Sequence, residues 1–184
     1  MSEPEVASTK RRKGCVAFLA DNKGATAVEF ALVAAPFLAL IIALIQTFLV
    51  FFAQQSLEAV VRQSARLIAT GQVQSAQMTQ AAFAQQVCNQ VVIFFDCQGL
   101  MVDVQVANSW TAANTSTPAL TFDSQGKVTN VWQFNPGTAG DIVVLRVIYV
   151  WPVVLGPLGF NLSNLASGGR EIMGSAAFQN EPSS

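Results

Sequence analysis

The sequence contains no histidine. Its absence excludes Ser-His-Asp and Cys-His catalysis, together with every metal site that requires a histidine ligand. An enzyme could still use paired carboxylates, and the candidates are Asp103, Asp123 and Asp141. All three fall at predicted strand or turn positions, where a solvated aspartate is ordinary. We therefore expect no enzymatic activity, no bound metal and no cofactor.

Charged residues are also scarce. Only 11% of residues are charged and 52% are hydrophobic, which is too apolar for an ordinary soluble domain. The excess lies between Phe30 and Ala53, a segment without any charge. As a helix it would be roughly 36 Å long, enough to cross a hydrocarbon core of about 30 Å. A buried core helix is the alternative, but apolar runs of this length seldom have that role. We predict a transmembrane helix over residues 30–53.

Positive charge is concentrated at the start of the chain, where five of the ten lysines and arginines precede Ala25. They are Lys10, Arg11, Arg12, Lys13 and Lys23. The positive-inside rule places this end in the cytoplasm and everything after Ala53 across the membrane. Beyond the cluster the chain is mildly acidic, so we expect no nucleic-acid partner.

Three cysteines are present, at positions 15, 88 and 97. Cys15 lies on the cytoplasmic side, and the charged residues before it argue against lipid attachment. Cys88 and Cys97 lie in the translocated part, which in a bacterial protein faces the oxidising periplasm. We predict that they form a disulfide, with free thiols as the alternative.

Residues 1–24 form a polar, basic leader. A secretory signal has its apolar stretch before the cleavage site, but here the small-residue pair Gly24-Ala25 precedes the apolar stretch. Cleavage at this position would leave the hydrophobic helix on the product. This order indicates a different kind of processing.

A carboxylate, Glu29, stands at the edge of the apolar segment. An ionisable residue inside a membrane is expensive and therefore marks a candidate functional site. The alternative is that Glu29 only extends its side chain to the interface near the helix end.

The helix is predicted to continue amphipathically beyond the membrane and to stop near Gly71, a good C-terminal residue. Glu58 and Arg62 are placed as an i,i+4 ion pair. A second helix is predicted after Thr79, which can act as its N-cap. Its apolar face consists of Phe83, Val87 and Val91.

Alternating apolar residues then predict three strands, at Leu100–Ala107, Asp141–Trp151 and Arg170–Gln179. A short strand is also predicted at Val131–Phe134, and a helical turn at Ser163–Leu165. The expected fold is α+β, with a helix packed on one face of an antiparallel sheet.

The pattern predicts three regions. Residues 1–24 are the leader, residues 25–71 the long helix, and residues 72–184 the small α+β domain beyond the membrane.

Several motifs resemble those of TadE-like minor pilins, or pseudopilins, of the Flp (tight adherence, Tad) type IV pilus system. The strongest is KGATAVEF at residues 23–30, followed by the long apolar helix. ARLIATGQVQ, the VC…FFDC pair, LRVIYVWP and the terminal FQNEP are similar to segments of the same proteins, so the resemblance covers most of the chain.

The resemblance implies a pilin-like domain and cleavage after Gly24 by a prepilin peptidase. Ala25 then becomes the first mature residue and Glu29 the fifth, followed by Phe30. Many other type IV pilins have phenylalanine in place of Ala25, so N-methylation of the new amine is not implied. The implied role is in pilus assembly and surface adherence.

The implied partners are the prepilin peptidase, the major Flp pilin, other minor pilins and the Tad secretion platform. The implied location is the bacterial inner membrane, with a cytoplasmic N-terminus and a periplasmic domain, and after assembly an extracellular pilus. The alternative function is that of an uncleaved single-pass membrane anchor carrying a periplasmic binding or scaffold module.

Overall fold

A computed structural model of the chain describes residues 24–91, 95–154, 156 and 159–182. The predicted leader, apart from Gly24, and Cys15 within it lie outside the described residues. The described chain forms two compact units, one ending at Ile42 and the other beginning at Ala43.

The described elements are those of an α+β protein, as predicted. A long helix comes first and is followed by two shorter helices and three strands. In chain order they are α1 (Ala25–Ala69), α2 (Gln72–Ser75), α3 (Gln80–Gln90), β1 (Met101–Ala107), β2 (Ile142–Trp151) and β3 (Arg170–Gln179).

Local sequence signals explain the helix ends. After the last residue of α1, the N–H of Gly71 donates to the carbonyl oxygen of Ile68 at 2.9 Å. Gly71 has a φ of 75°, a left-handed conformation that glycine adopts at little cost. At the start of α3 the Thr79 hydroxyl accepts a hydrogen bond from the N–H of Ala82 at 3.2 Å. Thr79 is therefore the N-cap of α3, as predicted.

The three strands form an antiparallel sheet in the order β1-β2-β3. The central strand β2 pairs Val147 with Val102 on one side and with Gly174 on the other. Residues 143–149 of β2 are all buried. Both faces of the central strand are thus covered, whereas the sequence predicted burial of one face.

Two helices cover the core face of the sheet, whereas the sequence pattern predicted one. Their buried residues join those of the sheet in a single apolar cluster. The contributing side chains include Leu57, Val61 and Ile68 of α1 and Phe83 and Val87 of α3. The closest approach is at Gly174 of β3, where an added Cβ would stand 2.7 Å from Cγ2 of Val61. Glycine therefore lets α1 lie directly on the sheet.

The prediction of a strand at Val131–Phe134 is wrong. Phe134 forms only an isolated parallel bridge with Val104. The N–H of Val104 donates to the carbonyl of Gln133, and the N–H of Asn135 donates to the carbonyl of Val104, both at 2.9 Å. The pairing does not extend beyond this single bridge.

The helical turn predicted at Ser163–Leu165 is also wrong. The turn lies slightly later, where the N–H of Gly168 donates to the carbonyl of Leu165 at 3.1 Å. Gly168 has a φ of 86°, so the tight return before β3 uses the conformational freedom of a glycine.

Candidate functional site: the start of the long helix

Gly24 directly precedes the first residue of α1 and is exposed. A Cβ added at Gly24 would meet no atom within 4 Å among the described residues. The described residues thus leave space beside Gly24, at the peptide bond that is predicted to be cut. Cleavage between Gly24 and Ala25 stays a prediction.

Glu29 lies in the second turn of α1 and is exposed. It is the only charged residue between Lys23 and Glu58. Its neighbour Phe30 is 73% exposed. The carboxylate thus lies on an apolar helix surface. No basic residue of the same helix is close enough in the sequence to pair with it.

The large apolar side chains around Glu29 are exposed along residues 28–42, the described part of the first unit that carries them. This surface includes Val28, Phe30, Leu32, Val33, Phe37, Leu38, Leu40, Ile41 and Ile42. By length and composition α1 is able to cross a membrane, and the most apolar part of it is not covered by the described residues. A continuous exposed apolar surface of this kind marks contact with lipid or with another protein. The helix suits membrane anchoring.

The predicted disulfide partners are bonded to each other. Cys88 of α3 and Cys97 have Cα atoms 5.6 Å apart. The bond ties the end of α3 to a single 3₁₀ turn, Cys97–Gly99, directly before β1. Next to this turn the N–H of Asp96 donates to the hydroxyl of Tyr149 at 3.3 Å. The hydrogen bond holds Asp96 against β2, and the disulfide joins the turn beside it to α3.

Asp103 is not solvated, which corrects the sequence prediction. It is 1% exposed, and its Oδ2 accepts from Nε of Arg146 at 3.0 Å. Its Oδ1 accepts from the N–H of Gln133 at 2.9 Å and from Nε2 of Gln105 at 3.1 Å. Asp103 and Arg146 face each other across β1 and β2. The sequence shows an acidic residue and a basic residue in two predicted strands. Their pairing could not be predicted without the register of those strands.

The other two candidate carboxylates hold turns, as expected from their positions. Oδ1 of Asp123 accepts from the N–H of Lys127 at 2.9 Å. Oδ2 of Asp141 accepts from the N–H and the hydroxyl of Thr138 at 2.7 and 3.0 Å. The hydrogen bond from the Thr138 N–H, followed by that from its hydroxyl, lowers the pKa of Asp141. The geometry thus assigns all three aspartates structural contacts.

A cleft of about 610 Å³ opens beside the end of β2 and was not predicted. Its walls contain the aromatic side chains of Phe122, Trp132 and Tyr149, with Asp96 and Lys127 as charged residues. Among the described residues, no group of three or more cysteines and acidic residues is placed to hold a metal ion.

Residues 24–66 match the family model of the TadE-like proteins. Over this segment the chain is TadE-like. The match begins at Gly24 and contains Glu29 and most of α1, so it falls on the surface described above. The similar segments at residues 145–152 and 178–182 lie outside it. No curated protein and no solved structure matches the chain.

Proposed function

We propose that this TadE-like protein is a minor pilin, or pseudopilin, of a Flp/Tad type IV pilus. In this proposal a prepilin peptidase cuts between Gly24 and Ala25, and the mature subunit is required for pilus assembly and surface adherence. The observation that carries the proposal is an exposed apolar helix surface with one carboxylate, five residues after a glycine that no described residue crowds. The family match covers that same segment.

Cleavage would create a positive charge that can pair with Glu29. The new α-amino group of Ala25 is protonated at neutral pH. In an apolar bundle an isolated carboxylate is costly, and it must either be neutralised or find an opposite charge. A neighbouring subunit that packs its own helix alongside supplies its amine about one helical turn from Glu29. The pair would therefore favour assembly of processed subunits over unprocessed ones.

The second unit supports a minor role within such a pilus. The major Flp pilin is much shorter than this chain. The domain that follows α1 is therefore an addition to the short pilin, which favours a minor or accessory subunit. We expect the protein to be inserted in the inner membrane with a cytoplasmic leader and a periplasmic domain. Its proposed partners are the prepilin peptidase, the major Flp pilin, other minor pilins and the Tad secretion platform.

The processing step is tested by the mass of the protein in membrane fractions. Wild type should lack residues 1–24, and Gly24→Leu should retain them because a bulky side chain obstructs the extended backbone in the peptidase. Ala31→Leu places the same leucine side chain at another exposed position of α1 and should be processed normally. An intact leader on the wild-type protein would instead favour the uncleaved membrane-anchored module.

The pairing step is tested by Glu29→Gln. The variant should insert at least as well as wild type, because a neutral side chain is easier to place in a membrane. Once processed, it should support few pili and poor adherence. Glu58→Gln makes the same chemical change in the later part of α1, where Glu58 contacts Arg62, and should leave piliation intact. Normal piliation by fully processed Glu29→Gln would refute the pairing.

A further inference from the structure

The strand β3 forms one edge of the sheet. Its register with β2 continues through all ten residue pairs without a bulge, so the peptide groups of alternate residues point away from β2 along the whole strand. The odd-numbered residues are the outward ones. The N–H of Glu171 donates to Oδ1 of Asn164, and the carbonyl of Met173 accepts from Nε2 of Gln54. Every second residue after Met173 is therefore outward as well.

The outward peptide groups in the later half of β3 are unpaired. They belong to Ser175, Ala177 and Gln179, all of which are exposed. Among the described residues, none forms a hydrogen bond with these backbone groups. The strand has neither a charge nor a proline from Ile172 to Gln179, although both commonly protect a free edge. An edge of this kind is suited to receive another strand.

The opposite edge of the sheet is the short extended segment of residues 131–135. Two hydrogen bonds with Val104 hold this segment parallel to β1. These bonds use the odd-numbered residues of the segment, so the peptide groups of Trp132 and Phe134 point away from the sheet. In the described part of the chain these groups have no hydrogen-bond partner. Val131, at the start of the segment, is 92% exposed.

The two edges are complementary in direction and in hydrogen bonding. β1 and β3 are both antiparallel to β2, so the segment runs in the same direction as β3. In a parallel pairing centred on Ala177, its N–H would donate to Trp132 and its carbonyl would accept from Phe134. The other peptide groups of Trp132 and Phe134 would bond to Ser175 and Gln179. All four outward groups of the segment would then be paired.

Existing hydrogen bonds select this register. A shift by two residues in either direction would need the carbonyl of Met173 or the N–H of Glu181. These groups are already bonded to Gln54 and Ala69. The segment is followed by Pro136, which has no N–H, so no further outward donor follows Phe134.

We propose that β3 of one subunit pairs with residues 131–135 of a second copy of the chain, joining their sheets edge to edge. This inference rests on the proposed function, in which neighbouring subunits pack α1 side by side in the same direction. Within the second unit, α1 runs along β3 from Gln54 beside Met173 to Ala69 beside Glu181. Subunits with parallel helices therefore also have parallel β3 strands.

The parallel arrangement excludes a two-fold pairing of β3 with itself inside such a pilus, because a two-fold axis would reverse one of the copies. Each copy instead uses two different edges, one as donor of a strand and one as acceptor. A contact of this kind is heterologous and can repeat from subunit to subunit along a filament.

Cysteine cross-linking tests the pairing on the full chain in the membranes of producing cells. The variant Val131→Cys/Ser175→Cys, in a Cys15→Ser background, places two thiols opposite each other in neighbouring copies. Adjacent strands are about 4.8 Å apart, within the range in which a disulfide forms. Within one chain the two positions lie at opposite edges of the sheet. Mild oxidation should therefore give a ladder of oligomers on non-reducing gels.

The matched control is Val131→Cys/Gln179→Cys. Gln179 is exposed like Ser175, but it lies about 13 Å farther along β3. The control should give at least about fivefold less cross-linked protein, because its thiols are too far apart for a disulfide. Equal yields from the two variants would overturn the proposal. Dimers formed by Ser175→Cys alone would also overturn it, since they would indicate that β3 pairs with itself.

A proline tests the hydrogen bonds themselves. Ala177→Pro, added to Val131→Cys/Ser175→Cys, removes the central N–H of the proposed pairing. Proline is tolerated where the N–H of an edge strand points outward, so thermal unfolding in detergent micelles should be unchanged while the ladder disappears. A ladder that persists in this variant would contradict the pairing.

The mass of the protein in the same membranes separates this inference from the proposed function. Processed chains without a ladder would overturn the edge pairing and leave the proposed function intact. Chains that retain residues 1–24 and still form the ladder would refute the proposed processing and support the pairing. A retained leader without a ladder would refute both.

Discussion

Residues 26–42 and residues 43–69 of α1 are both helical and both rich in apolar residues, but they have different surroundings. In the first stretch most large apolar side chains are exposed. The second stretch begins with exposed apolar side chains such as Phe48 and Phe51, but its later residues Leu57, Val61 and Ile68 are fully buried. The first stretch has a single charged residue, Glu29, while the second has polar residues on its outer side. Hydrophobicity therefore predicts the helix but does not show which part of it the rest of the protein covers.

The second stretch is also tied to the sheet by polar contacts. Nε2 of Gln54 donates to the carbonyl of Met173 at 2.8 Å. At the end of α1 the carbonyl of Ala69 accepts from the N–H of Glu181, also at 2.8 Å. The latter part of the helix is thus a component of the domain, and substitutions there should affect folding. Substitutions in the earlier part should affect insertion or assembly.

The largest contrast is expected between two leucines of the same helix. Leu57→Ala should lower the free energy of unfolding by about 2–5 kcal/mol, because it removes a fully buried side chain and leaves a cavity. Leu40→Ala should change domain stability little, since Leu40 is 57% exposed. Urea unfolding of the full chain in micelles measures both. Equal losses would contradict the division of α1 into a covered and an uncovered part.

The disulfide should stabilise only the second unit. Replacing Cys88 and Cys97 together by serine should cost about 2.7 kcal/mol, the chain-entropy value for a loop of about ten residues. Thermal unfolding measures the loss, and Cys15→Ser is the matched control that should show none. Thiol labelling of denatured, unreduced wild-type protein should find neither Cys88 nor Cys97 reactive. Two reactive thiols in the mature chain would refute the bond.

A third test compares two glycines. Gly174→Ala should destabilise the domain by about 1–3 kcal/mol through overpacking, because the new Cβ would also lie 3.2 Å from the carbonyl oxygen of Leu57. Gly24→Ala has open space around it and should leave unfolding unchanged. Urea titrations that gave the two variants the same stability would show that α1 does not lie as closely on β3 as described.

The smallest effects concern pH and two carboxylates of the second unit. Burial raises the pKa of Glu171, and its Oε1 has no hydrogen-bond partner among the described residues. Its contribution to stability is therefore present at low pH and is lost as the pH rises through the folded-state pKa. Because hydrogen bonds lower the pKa of Asp141, its contribution is present at higher pH and is lost as the pH falls through the folded-state pKa.

The corresponding variants should therefore differ in sign near neutral pH. Asp141→Asn should reduce stability there, and Glu171→Gln should maintain or slightly increase it. Unfolding midpoints measured from pH 3 to pH 8 check both predictions. Each variant should lose the pH dependence of stability that its own carboxylate contributes, and the two changes should have opposite signs. A stability loss at neutral pH for Glu171→Gln would show that the carboxylate has a favourable partner.

Much of the fold follows from local patterns in the sequence. The end of α1 before Gly71, the N-cap at Thr79 and the extent of β3 all depend on residues close together in the chain, so periodicity and capping chemistry predict them. The motif at Gly24 and Glu29 is local in the same way, and its processing stays a prediction. The segment at Val131–Phe134 was mispredicted because its pairing depends on one residue of a distant strand, Val104.

By itself the sequence determined that the chain has a long apolar helix, one carboxylate near its start and a small α+β domain after it. Local backbone preferences and hydrophobic periodicity are sufficient for these features. Only the tertiary structure decided that the later part of α1 is covered by the sheet, that Gly174 permits this contact and that Asp103 is buried against Arg146. The physical reason is that burial and charge pairing depend on strand register and helix packing, which bring together residues far apart in the chain.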